Sequence, residues 1–244
     1  MNLLVSKKSW LVAPSVALIG LVLLLSLWDV TDPREFVTWF SVEERLSPVE
    51  WMTLPLFALI VPLVWLCPPA GGTWKRQCGW SAIWSLLGIG AIVRETDLHK
   101  ALFSSIWPEV EAGFKGTVFK MRFLKAADIP WAPKLFVLVF FILFFVAVLV
   151  PLIRYMVPLF KGFFRFEPVA WTMATFGVCS VMVLVVDRLP SKLKHADVAL
   201  SDSTAALLKA FEEGGEALMA LLALLAILQS YLLFVHRSPD KIGE

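Results

Sequence analysis

The residues with the most chemistry in this chain are acids, and several of them recur at helical spacing. Glu95 and His99 are four apart, as are Glu212 and Glu216, and side chains at that separation share one face of an α-helix. A Glu-x-x-x-His pair facing a Glu-x-x-x-Glu pair offers carboxylate oxygens and one imidazole, a set able to hold a divalent cation or to relay a proton. The metal set expected on this ground is Glu95, His99, Asp187 and Glu216. Glu50, Arg94, Asp97, Arg188, Glu212 and Glu213 fall at matching helix ends and complete the candidate cluster.

A structural expectation competes with the chemical one. Acids in the first turn of a helix, as Glu212, Glu213 and Glu216 would be, are favoured by the helix dipole by about 0.3–1 kcal/mol each. Arg94 and Arg188 stand ready as interhelical partners for them. Support for an enzyme is thin, because His195 sits beside Lys194 in a polar loop and His236 belongs to the opposite end of the chain's last span. There is no nucleophile elbow, phosphate-cradling glycine loop or His-Glu-x-x-His, so no catalytic residue is assigned. No cofactor is evident beyond the divalent cation.

These residues need elements to position them, and composition says which kind. With 59% hydrophobic residues, 17% charged and a mean hydropathy of +0.77, the chain is excluded from ordinary soluble domains and reads as a polytopic, all-α membrane protein. Phe (19) and Trp (11) outnumber Tyr (2), which suits lipid-facing surfaces and interfacial anchoring. A net charge of +2 gives no argument for nucleic acid, and Cys67, Cys78 and Cys179 match no disulfide framework or metal motif, so they are expected as free thiols.

Six apolar segments approach the length of about 20 residues that a hydrocarbon core requires: 11–28, 51–67, 79–93, 135–153, 168–186 and 217–235. The first follows Lys7 and Lys8, is longer than a usual signal h-region and ends in Leu27-Trp28-Asp29, which predicts an uncleaved signal anchor. The third has only 15 uncharged residues, so either its helix carries Arg94 and Glu95 into the membrane edge or the bilayer thins around it, and the first is favoured. With both termini cytoplasmic, the inner segments hold nine Lys and Arg against three acids, and the outer loops hold 13 against 17. Small residues in the third span (Ser81, Ser85, Gly88, Gly90), fifth (Gly177, Ser180) and sixth (Ala220, Ala223, Ala226) predict a core built from those three, with the fourth span facing lipid.

The outer loops 29–50, 94–134 and 187–216 carry further signals. The first predicts a short amphipathic helix lying on the membrane, then a capping box at Ser47-Pro48-Val49-Glu50; Pro55 and Pro62 predict a kink in the span that follows. In the second, 114–125 interleaves basic and apolar residues, which suits either a segment resting on anionic headgroups or a solvated loop with a few buried aromatics. The third predicts a helix over 203–213 capped by Asp202, with Gly214-Gly215 loosening its junction to the last span. Pro68-Pro69-Ala70-Gly71-Gly72 predicts a tight inner turn.

Taken together, Arg94-Glu95-x-Asp97-x-His99, Phe119-Lys120-x-Arg122-Phe123, Asp187-Arg188 and Glu212-Glu213-x-x-Glu216 ahead of a Leu/Ala-rich last span resemble a group of uncharacterised multispan bacterial inner-membrane proteins. The resemblance covers about the C-terminal two thirds of the chain and implies a bacterial inner membrane without implying an activity. The expected function is a non-enzymatic membrane component whose cluster binds a cation, a lipid headgroup or a partner protein, with the bilayer, a membrane protein or a second copy as partners. A metal-dependent lipid-modifying hydrolase and a proton- or cation-coupled transporter or channel subunit are the alternatives. Transport by a single chain is disfavoured, because below the charged rim the spans offer only Ser, Thr, Cys179 and Gln229.

Overall fold

In hydrocarbon a backbone has no water to bond with, so long apolar runs satisfy their own N–H and C=O groups by forming helices. The computed structural model describes residues 4, 6, 8–40, 46–67, 74–96, 98–108, 121–127 and 129–237, and no strand occurs among them. Its helices are α1 (Val12–Val30, preceded by a 3₁₀ turn at Ser9–Leu11), α2 (Pro33–Phe40), α3 (Pro48–Leu66), α4 (Trp74–Glu95) and α5 (Leu98–Ile106). They continue with α6 (Met121–Lys125), α7 (Trp131–Phe164), α8 (Pro168–His195) and α9 (Asp202–Arg237).

Five of these, α1, α3, α7, α8 and α9, are long and apolar enough to cross a membrane. The expected third span is helical too, as α4, and at 22 residues it measures about 33 Å. Its apolarity falls short because Trp80, Trp84, Ser81, Ser85, Gly88 and Gly90 dilute the aliphatic residues and because it closes on Arg94 and Glu95.

The start of α3 follows its sequence signal. Ser47 Oγ accepts the Glu50 backbone N–H at 3.2 Å, and Glu50 Oε2 accepts the Ser47 N–H at 2.5 Å, closing the capping box. The helix then runs through both Pro55 and Pro62. Most side chains of α7 are exposed, as a lipid-facing helix requires.

The core is arranged differently from the sequence expectation. The broadest contact of α9 is with α8, but its next is with α3, while α4 packs chiefly on α3. The small residues of α4 explain this, since they admit α3 and not α9. Ser81 Oγ donates to the Val64 carbonyl at 3.0 Å, Trp65 Nε1 donates to Ser85 Oγ at 3.0 Å, and a Cβ on Gly88 would stand 3.2 Å from the Phe57 carbonyl oxygen. α4 reaches α9 through Trp80 and Trp84, which pack with Ile60, Val64, Ala223, Ala226 and Ile227.

Three local expectations are corrected. α9 passes unbroken through Gly214 and Gly215, because these glycines serve close approach and not a hinge: a Cβ on Gly215 would lie 2.3 Å from Val183 Cγ2, and one on Gly214 3.1 Å from Leu24 Cδ1. Ser201 takes the capping role assigned to Asp202, its Oγ accepting the Thr204 N–H at 3.2 Å. The amphipathic helix of the first loop, α2, buries Phe36 and Phe40 against Ala210 of α9, so its apolar face packs on protein.

In the second loop, Phe123 of α6 is wholly buried with Phe103, Ile129 and Val137. This favours buried aromatics for the described part of that basic segment. Residues 114–120, the expected turn at 68–72 and Asp97 lie outside the described residues. All three cysteines are free, as expected.

Candidate functional site: a carboxylate cluster at one end of the bundle

Three helices meet at one end of the bundle. The first turn of α3 presents Glu50, the last residue of α4 is Glu95 with Arg94 before it, and α9 contributes Lys209, Glu212, Glu213 and Glu216. Arg94 donates to Glu95 Oε1 from Nη2 at 3.0 Å and from Nε at 3.2 Å, and it also donates to Glu216 Oε1. Lys209 donates to Glu213 and pairs with Glu212 at 3.3 Å. The Glu95, Glu213 and Glu216 side chains are nearly buried, whereas the Arg94 side chain is 61% exposed.

One carboxylate oxygen from each of Glu50, Glu95 and Glu213 lies within 4.8 Å of the other two. The network therefore gathers Glu50, Glu95, Glu212, Glu213 and Glu216 around two cations, Arg94 and Lys209. Partial desolvation opposes the Arg94 charge, but the carboxylates of Glu216 and then Glu95 outweigh it, so the guanidinium pKa is raised above its ordinary value. Arg94 is thus a fixed positive charge in the cluster. An oxygen-only donor set of this kind suits a hard divalent cation such as calcium, magnesium or manganese, in contrast to the imidazole-containing set expected from spacing.

Of the residues singled out by sequence, Glu50, Arg94, Glu95, Glu213 and Glu216 come together. Glu212 joins through Lys209. Asp187 is exposed on α8, near enough to Glu212 for their charges to repel, and Arg188 beside it is exposed. Glu95 and His99 belong to different helices: α4 ends at Glu95, Thr96 forms a turn and His99 is in α5. Asp97 falls outside the described residues. Lys209 was missed, although its spacing of three and four to Glu212 and Glu213 is the pattern that helical ion pairs follow.

A second feature lies against the opposite face of α9. Gly214 and Leu218 of that helix, Gly20 and Leu21 of α1, and Cys179 and Met182 of α8 line an apolar cleft of about 360 Å³. Phe211, Gly214, Gly215 and Leu218 follow one helical stripe, while Glu213 and Glu216 fall on the other side, so cleft and cluster are separate.

Polar groups recur farther along α9. Thr172 Oγ1 donates to Gln229 Oε1 at 2.6 Å, both side chains being fully buried. Among the described residues Gln229 Nε2 and the indole N–H groups of Trp28, Trp80 and Trp84 are buried without an acceptor in the protein.

Among the described residues these features define an all-helical chain with five helices fit to cross a membrane and a charged cluster where α3, α4 and α9 meet. Compared with protein-family models, curated proteins and solved structures, the chain matches none of them.

Proposed function

We propose that the chain is a six-span bacterial inner-membrane protein with cytoplasmic termini, α4 being the sixth crossing, and that its periplasm-side carboxylate cluster binds a hard divalent cation as a non-enzymatic component. The observation that carries this reading is the approach of Glu50, Glu95 and Glu213 within 4.8 Å of one another. Like charges this close repel, and a divalent ion between them converts the repulsion into coordination. The three acids come from α3, α4 and α9, so the bound ion clamps three helices at one end of the bundle.

Manganese binding to the purified chain, followed by the loss of the free-ion electron paramagnetic resonance signal, tests it. One ion per chain is expected, Glu213→Gln abolishes it and Asp187→Asn leaves it unchanged. Binding that does not saturate, or that survives Glu213→Gln, overturns the proposal. A site centred instead on Glu95, His99, Asp187 and Glu216 would lose the ion on Asp187→Asn.

A further inference from the structure

We propose that the cleft between α1, α8 and α9 holds one acyl chain of a bilayer phospholipid, drawn from the leaflet on the carboxylate side. Those three helices alone line it, so neither α4 nor a bound cation enters its construction. α1 and α8 each rest on α9 at a glycine, Leu24 against Gly214 and Val183 against Gly215, and the space left between them is the cleft. The α9 stripe from Phe211 to Leu218 is its floor. At the deep end the two walls close on each other, because Trp10, just ahead of α1, meets the Trp171 ring of α8 at 4.8 Å, one turn before Thr175.

The depth of the cleft matches one leaflet. Its α8 wall runs from Val186 to Thr175, 11 residues or about 16 Å along the helix, where half of a hydrocarbon core is about 15 Å. Val186 and Phe211 at the outer end are followed directly by Asp187 and Glu212, charged residues that belong at the membrane edge. The mouth opens sideways. Leu18 and Leu21 of α1 and Val178 and Met182 of α8 line it and are exposed, and at this depth exposed apolar side chains face lipid. A chain of the surrounding leaflet therefore enters without leaving hydrocarbon, its headgroup staying level with the charged ends of the helices.

Size and chemistry select the occupant. A volume of about 360 Å³ spread over that length gives a mean cross-section of about 22 Å², enough for a single hydrocarbon chain. A helix with its side chains is about 10–12 Å across, or about 80–110 Å² in section, so no helix of a second copy can be seated there. Water gains nothing from the lining side chains, since the Thr175 hydroxyl already donates to the Trp171 carbonyl at 2.9 Å and the Cys179 thiol is a weak donor. Apolar cavities of this kind stay dry and take up apolar ligands, and an occupant restores the dispersion contacts that the walls otherwise lack.

Gly20 provides the test. A Cβ there would meet nothing nearer than Leu218 Cδ1 at 4.0 Å, so Gly20→Leu fills the cleft without displacing a neighbour. Gly177 of α8 is exposed, lies outside the lining and would place a Cβ in open space, which makes Gly177→Leu the control. The full chain is reconstituted in vesicles of palmitoyl-oleoyl phosphatidylcholine, whose headgroup has no net charge, then released into mild detergent and weighed by native mass spectrometry. One phospholipid per chain is expected on the parent and on Gly177→Leu, and its loss on Gly20→Leu, with the unfolding temperature unchanged. Should Gly20→Leu fail to fold, Ala17→Leu from the same wall is read in its place. A parent that carries no phospholipid or only detergent, a phospholipid that survives Gly20→Leu, or one lost equally on Gly177→Leu overturns the proposal. So does a dimer that Gly20→Leu dissociates, which would assign the cleft to a second copy.

Discussion

The two polar layers of α9 solve the same problem in different ways. Near Glu213 and Glu216 the buried carboxylates are matched by charges, Lys209 from the same helix and Arg94 from α4. About 20 Å away, Gln229 has one neutral bond to Thr172 and an amide nitrogen without a partner among the described residues. The charged layer cannot lose a partner without stranding an ion, whereas the neutral layer strands at most an amide. Function that requires charge therefore belongs to the first layer, and tolerance to substitution belongs to the second.

The sharpest way to break this comparison is Arg94→Leu, which leaves Glu216 buried without its cation. It is expected to destabilise the fold by about 3 kcal/mol, the lower end of the range for a broken buried pair because Arg94 is partly exposed, and Arg94→Lys should recover part of the loss. Unfolding in detergent measures both. Gly215→Ala comes next, at about 1–3 kcal/mol, since the added methyl meets Val183; Val183→Ala in the same chain should relieve most of it.

Thr172→Val is expected to cost about 0.6–1.7 kcal/mol, the span found for hydrogen bonds between membrane helices. Replacing both partners, with Gln229→Leu added, should return stability to within about 1 kcal/mol of the parent, because no polar atom is then left stranded. A double replacement that remains as damaging as Arg94→Leu would erase the distinction between the layers. Ser47→Ala is expected to cost about 1 kcal/mol from the lost cap, and it should loosen Glu50 and with it the cation affinity proposed above.

How much could be read from the chain beforehand depended on whether a signal was local. The cap at Ser47 and the positions of the apolar helices were legible, because each is decided by a few neighbouring residues. The meeting of Glu50, Arg94, Glu95, Glu213 and Glu216 was legible only as a common depth, since which acids touch depends on how the helices are rotated. Gly214-Gly215 was misread as a loose junction because glycine lowers helix propensity equally whether it marks a hinge or a close contact, and only the position of Val183 decides between them. The single helix expected through Glu95 and His99 failed for the opposite reason. No glycine or proline announces the break at Thr96, so spacing alone carried a helix through it.

The unbroken course of α9 has a mechanical consequence. From Asp202 to Arg237 it is a stiff shaft of 36 residues, about 54 Å, without a joint. Gly215, which lies so close to Val183 that no side chain fits between them, divides it into arms of about 20 Å and 33 Å. Pivoting there, the shaft returns any sideways movement at its Asp202 end enlarged by about half again or more at its Arg237 end, whereas Glu213 and Glu216 stand beside the pivot and hold the shaft in place.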